Sequence, residues 1–245
     1  DSTEAIEPSD SDQGSLGDCY LVSAIAGLAE NPRRIERMFQ APRCPDLGIY
    51  RIIMTKNGWK HVVTMSDLLP TRNGKPVFMS NKSEAAEIYP SLMELAYAKL
   101  HGSFASIAGG SPPHAVADCI GTPFVRFRDH PGWEEPGKAS LFDFVEDADR
   151  RGAVISLATP GVDTSDYAGG GNSANEEAIS EKYKAVGLVS GHAFTILQAR
   201  RYRNHKLVQI RNPWGGDREW SGKWGDDDVD SWTPDAKAAL GYKKE

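Results

Sequence analysis

The chain has 245 residues, 40% of them hydrophobic and 25% charged, with 34 acidic side chains against 28 Lys and Arg and a net charge of −6. That is ordinary globular composition, long enough for one large domain or two smaller ones. The acidic balance excludes a broad nucleic-acid or membrane-surface footprint, and no run approaches the ~18 apolar residues of a bilayer span.

The first dozen residues are polar and acidic and are expected to run extended. A helix is predicted from Cys19, with Leu21, Val22, Ile25 and Leu28 on one face, ending at Asn31-Pro32. A short amphipathic piece at Arg33–Phe39 follows. Tyr50–Lys56 and Trp59–Met65 read as strands joined by Asn57-Gly58, a strong hairpin signal. Apolar spacing over 85–100 predicts a long helix starting near Pro90 and stopping at Gly102. The stretch from Gly109 to Pro113 reads as the opening of a loop region. Phe124–Arg128 reads as a strand, and Ser140 with Asp143 as a capping box for a helix over Leu141–Arg151 closed by Gly152. Short strands are predicted at Ala153–Thr159, Ala185–Val189, Ala193–Arg200 and Lys206–Arg211. Pro160–Lys184 has no clear period and reads as a mobile surface loop. A helical first half and a β-rich second half place a boundary near residue 122.

Three cysteines, Cys19, Cys44 and Cys119, without a CxxC pair do not make a disulfide framework or a zinc site. They suit a reducing, cytoplasmic setting. The chain starts at Asp1 without Met or an apolar signal core and is read as a piece of a longer one.

Cys19 opens the first helix, where the helix dipole favours a thiolate. Gln13 lies upstream on a segment whose Gly14 and Gly17 let the backbone fold close, so its amide and the Cys19 N–H could donate to an oxyanion. A buried structural cysteine is the plainer reading of Cys19 alone. The second half supplies a partner set. In a hairpin centred near residue 202, His192 falls opposite Asn212, with Cβ atoms about 4.5–5.5 Å apart, so the amide can hold the imidazole. Cysteine, histidine and orienting asparagine are the parts of a nucleophilic triad. His61, His101, His114, His130 and His205 fall in a hairpin strand, turns and proline-flanked loops and compete poorly as bases.

Gln13-Gly-Ser-Leu-Gly-Asp-Cys19-Tyr-Leu, Gly187-Leu-Val-Ser-Gly-His192-Ala-Phe-Thr-Ile and Arg211-Asn212-Pro-Trp214-Gly resemble the three active-site blocks of the calpain family of papain-like cysteine proteases. Asp67-Leu-Leu-Pro-Thr71, residues 92–100 and Glu219-Trp-Ser-Gly-Lys-Trp-Gly-Asp226 also look like calpain core segments, so the resemblance covers nearly the whole chain. It implies an α+β, papain-like protease core of two subdomains, 1–122 and 123–245. Cys19 and Gln13 lie on the first, His192 and Asn212 on the second, and closure of the two assembles the triad. It further implies protein or peptide substrates, regulatory domains elsewhere in a longer chain, and a completing acidic strand beyond Glu245.

By the same resemblance calcium binds each subdomain and drives closure, with Asp10 as a ligand in the first and Glu219 and Asp226 in the second. Hard oxygen donors are what calcium takes. His114 stands where an acidic ligand is expected, and Tyr20 where the family commonly has tryptophan after the nucleophile. Asp226, Asp227, Asp228 and Asp230 also read as a solvated acidic turn. Trp220, Trp224 and Trp232 read as core aromatics, and the resemblance gives Trp214 the role of shielding the His–Asn bond. Two other functions remain open at this point. One is a catalytically silent interaction module, disfavoured by the intact Cys19, His192 and Asn212. The other is an acyltransferase of papain-like fold such as a transglutaminase, disfavoured because that chemistry usually uses Asp where this chain has Asn212.

Overall fold

The computed structural model describes residues 6–40, 47–81, 87–127, 140–159, 173–215 and 219–242. Cys44, His130 and Arg128 lie outside them. The chain forms two compact units, residues 1–126 and 127–245, each with its own packing.

In the first unit the acidic lead-in is partly ordered: Pro8–Asp10 make a single 3-10 turn, and β1 (Ser11–Asp12) pairs antiparallel with β6 (Ser80–Asn81). Helix α1 (Cys19–Ala29) follows, and every residue from Tyr20 to Ala29 is buried. A helix that is apolar all round must be enclosed, and here a later helix over Pro112–Ile120 and the 3-10 turn pack on it. Leu21, Ile25 and Leu28 are fully buried, each contributing about 2 kcal/mol of apolar burial. α2 (Pro32–Glu36) begins at Asn31, whose side chain accepts from the Arg33 N–H. β2 (Ile49–Lys56) and β3 (Trp59–Ser66) form the expected hairpin, Lys56 pairing with Trp59 across Asn57 (φ 53°) and Gly58 (φ 82°). A smaller hairpin joins β4 (Thr71–Arg72) to β5 (Lys75–Pro76). Helix α3 (Tyr89–His101) starts with proline in its first turn, where a missing N–H costs nothing, and stops at Gly102.

The loop expected from Gly109 onward is a helix instead, α4 (Pro112–Ile120). The prolines that suggested a loop occupy its first turn, and Ala115, Val116 and Cys119 face the core.

In the second unit the capping box forms as expected: Ser140 Oγ accepts from the Asp143 N–H and Asp143 Oδ2 from the Ser140 N–H, opening α5 (Leu141–Arg150). β7 (Ile155–Ala158), β8 (Ala193–Tyr202) and β9 (His205–Arg211) make one antiparallel sheet in the order β7-β8-β9. α5 is tied to β8 by Arg201 to Asp143 and Glu146 and by Asp149 accepting from the Ala199 N–H.

Three expectations fail here. Phe124–Phe127 has no regular structure, because no strand among the described residues offers it a ladder. Residues 173–184, expected as loop, belong to α6 (Ser173–Ala185). Its Ala, Glu and Lys favour helix although they lack an apolar period. Ala185–Val189 is not a strand but the end of that helix. Leu188 N–H reaches the Tyr183 carbonyl and Gly187 N–H that of Lys184, with Gly187 left-handed at φ 79°. The second unit closes with α7 (Pro234–Leu240), capped by Thr233.

Candidate active site

The two halves of the candidate site lie one in each unit. In the first, α1 begins at Cys19, whose side chain is half-buried, and its first turn is held by the Asp18 carbonyl accepting from the Leu21 and Val22 N–H groups. The preceding loop is drawn against the 76–80 segment. Ser15 N–H bonds to the Val77 carbonyl at 2.9 Å, and a Cβ at Gly14 would come within 2.3 Å of the Phe78 carbonyl oxygen, so only glycine fits. Gly17 has no such crowding and contributes through its carbonyl, which accepts from the Gly109 N–H. Gln13 donates one Nε2 hydrogen to the Leu16 carbonyl at 2.7 Å. A primary amide carries two such hydrogens, so this bond orients the group and leaves a second donor. Behind Cys19, Tyr20 is buried and its hydroxyl donates to the Ile107 carbonyl.

In the second unit His192 immediately precedes β8, only 3% exposed. Its Nε2 is 2.8 Å from Asn212 Oδ1, and the same Oδ1 accepts from the Trp214 backbone N–H at 3.1 Å. A backbone N–H can only donate, so the atom it meets must be the amide oxygen, and the imidazole Nε2 must therefore carry a proton. Neutral His192 then keeps its acceptor lone pair on Nδ1. The Trp214 ring stands 4.5 Å from the imidazole centroid and Phe194 meets it edge-on at 4.8 Å. Burial lowers the His192 pKa, with the Asn212 bond acting in the opposite sense.

The register that led to this pair was mistaken although the bond is real. The β8–β9 turn is centred on Arg203 and Asn204, Tyr202 pairs with His205, and an irregularity between Ile196 and Gln198 leaves Thr195 opposite Arg211. Continued by one rung, Asn212 faces Phe194, and His192 is its diagonal neighbour two residues along the same face. Diagonal side chains at ~7–8 Å backbone separation still meet when both are long enough.

One residue escaped the sequence reading. Thr159 Oγ1 accepts from the His192 N–H at 3.1 Å and donates to the Val189 carbonyl, and its own N–H reaches the His192 carbonyl at 2.9 Å. It follows Ala158, the partner of Ala193, so strand pairing β7–β8 was the signal that could have found it.

The remaining candidates separate clearly. His61 and His114 are exposed, His101 is bonded to Asp118, and His205 lies edge-on to Trp224. Trp224 and Trp232 stack edge-to-face as expected of packed aromatics, but Trp220 is exposed, held by its indole N–H on the Lys223 carbonyl. Asp228 braces its turn by accepting from the Trp224 and Ser231 N–H groups. Asp10 is buried, and one of its carboxylate oxygens accepts from the Glu7 N–H and the Tyr89 hydroxyl. Among the described residues no three His, Cys, Asp or Glu side chains come together. His114 is turned to solvent and edge-on to Phe124. Glu219 and Asp226 are exposed carboxylates of the right donor chemistry, and backbone carbonyls and water can complete such a set.

A cysteine at a helix start with an upstream amide donor, and a buried histidine held by asparagine, are side chains of the types a cysteine peptidase uses, here on a mixed α+β core. The sequence from residue 2 to 245 matches the family described as calpain family cysteine protease, and the chain belongs to that family. It is 33% identical over 239 residues to the calpain-type cysteine protease DEK1 of Zea mays, covering 96% of this chain and 10% of that protein. It is 34% identical over 224 residues to the calpain-2 catalytic subunit of Gallus gallus, covering 87% and 29% respectively. The chain thus spans a tenth to under a third of these relatives. Among the described residues no helix is long and apolar enough to cross a membrane.

Proposed function

We propose that this chain is the protease core of a calpain-type endopeptidase, cleaving protein substrates through Cys19, His192 and Asn212, within a longer chain that carries regulatory domains and works in the cytoplasm. The observation that supports it most is the His192–Asn212–Trp214 arrangement, which fixes the imidazole tautomer with Nδ1 as the basic atom.

In the proposed reaction His192 Nδ1 takes the proton of the Cys19 thiol, giving imidazolium and thiolate, and the thiolate attacks the substrate carbonyl carbon. The developing oxyanion takes hydrogen bonds from the second Gln13 Nε2 hydrogen and from the Cys19 N–H. The imidazolium gives its Nδ1 proton to the amine nitrogen as the C–N bond breaks, leaving a thioester. Neutral Nδ1 then takes a proton from water, whose oxygen displaces the thiolate. Throughout, Asn212 Oδ1 holds Nε2–H, and the Trp214 ring keeps water off that bond, which strengthens it.

Thr159→Val removes the hydroxyl that seats the His192 backbone, leaving its N–H without that partner. The expected result is about 1–2 kcal/mol lost in unfolding stability and a fall in kcat of roughly tenfold at nearly constant KM. An unchanged kcat in steady-state peptide hydrolysis would remove Thr159 from the positioning of the base.

The reading is tested by a thiol-directed epoxide inhibitor and a fluorogenic peptide titrated with free calcium. Expected are covalent labelling of Cys19 and hydrolysis that rises with calcium. The rise should weaken in Glu219→Gln/Asp226→Asn, since calcium at those carboxylates supplies positive charge to the second unit. Labelling without hydrolysis of any peptide would leave the silent module, and a flat response to calcium would remove the ion from the proposal.

A further inference from the structure

Next to the nucleophile in sequence, the first unit buries an acid, Asp18, that interacts with a second buried acid, Glu94. Asp18, the residue preceding Cys19, has no exposed surface, and Glu94 of α3 is 2% exposed. Glu94 Oε2 accepts from the Met79 N–H at 3.0 Å, and Ser91 on the same helix donates to the Met79 carbonyl at 2.7 Å. Three oxygens remain, both of Asp18 and Oε1 of Glu94, and none of these buried atoms receives a hydrogen from another protein group. Asp18 does not use its side chain to cap α1. Two ionised carboxylates in this position would repel in a low-dielectric enclosure, and an unpaired buried charge is expensive. A proton held by one acid supplies the missing donor.

We propose that Asp18 and Glu94 share one proton across the working pH range, and that this hydrogen-bonded acid pair is a positioning device that fixes the first turn of α1, and so Cys19, on α3. It builds on the reading of Cys19 as nucleophile, and neither residue touches substrate. Burial pushes both acids up, Glu94 to about 9, with Asp18's charge and hydrogen bond adding to the rise at Glu94. The other ionisable groups around the pair do not supply a competing cation. Tyr20, on which Asp18 acts, is itself within reach of Cys19, Tyr97 and Asp118. Burial pushes the Tyr20 and Tyr97 hydroxyls up as well, so both remain neutral. No Lys, Arg or His contributes to either acid's shift. Like-charge carboxyl pairs behave in this way generally, titrating as a unit.

The sign follows from linkage. Unfolded Glu94 loses its proton near 4.5 and folded Glu94 near 9. The folded state therefore holds the extra proton, and its stability from this group falls as pH rises through that interval, levelling off above it.

The test compares the whole chain with Glu94→Gln, whose amide donates to Asp18 without a titrating proton, and with Glu94→Ala, which leaves Asp18 bare. Thermal midpoints are measured from pH 5 to 10, together with peptide-resolved alkylation of Cys19 by iodoacetamide, which needs no protease activity. Expected is a Glu94→Gln advantage over the native chain that widens from pH 5 to about 9 and then holds. Expected too is Cys19 alkylation at pH 7 that changes severalfold in Glu94→Ala and returns to within about twofold of native in Glu94→Gln. Midpoint curves that run parallel, or a Glu94→Gln chain whose Cys19 reacts like that of Glu94→Ala, would overturn the proposal. Should Glu94→Ala fail to fold, the pH-dependent gap of Glu94→Gln decides. Both readouts stand apart from the triad: hydrolysis surviving in Cys19→Ala would sink the peptidase reading and leave them unaffected.

Discussion

Cys19→Ala is expected to lower peptide hydrolysis by on the order of 10⁴-fold or more, to the level of an enzyme that binds substrate without a nucleophile. Binding should survive, because the change removes one sulfur at a half-buried position and leaves the helix start intact. The control lies in the same unit. Cys119 is wholly buried on α4, and burial with the nearby Asp118 charge pushes its thiol up to about 12, so it stays protonated and inert. Cys119→Ala should cost some packing stability but leave kcat within about twofold. Hydrolysis that persisted in Cys19→Ala, or that vanished equally in a folded Cys119→Ala, would sink the assignment of the nucleophile.

Asn212→Ala should have the second largest effect, a fall in kcat on the order of 10²-fold with KM changed by less than about threefold. Asn212 Oδ1 accepts from both the His192 Nε2–H and the Trp214 N–H. Its loss frees the imidazole to rotate or change tautomer and leaves two donors without their acceptor in a buried place. Asn212→Asp separates orientation from charge. A carboxylate accepts from the same two donors but favours the imidazolium, and so opposes the burial that lowers the His192 pKa. The expected outcome is partial recovery of kcat and an upward shift of the histidine titration, read by NMR of the His192 ring protons. If Asn212→Ala retained the native rate, the hydrogen bond would be structural and the orienting role would fail.

Some of this was legible because the signals were local. Asn57-Gly58 dictates a tight hairpin through backbone conformation, and Ser140 with Asp143 satisfies a helix start three residues apart. Cys19 at the head of an apolar, small-residue helix follows from the same short-range logic. What misled was equally physical. Pro112 and Pro113 signal a break wherever they stand, yet a helix can begin on them. The polar 173–185 stretch has propensity for helix but no apolar period to announce it. The count that placed His192 opposite Asn212 assumed an unbroken ladder centred near 202. The turn at Arg203 and Asn204 and the irregularity after Ile196 moved the register, and diagonal reach restored the contact.

The sequence alone therefore determined the family to which the chain belongs. The types and order of Gln13, Cys19, His192 and Asn212 are covalent facts, and the family they belong to is written in the blocks around them. Only the tertiary structure decided how these groups are held. The tautomer of His192 depends on a backbone N–H from Trp214, and the seat of its main chain on a hydroxyl from Thr159. Such partners come from different elements, and their worth depends on exclusion of water. No linear spacing encodes that, because burial belongs to the packed chain and not to any segment of it.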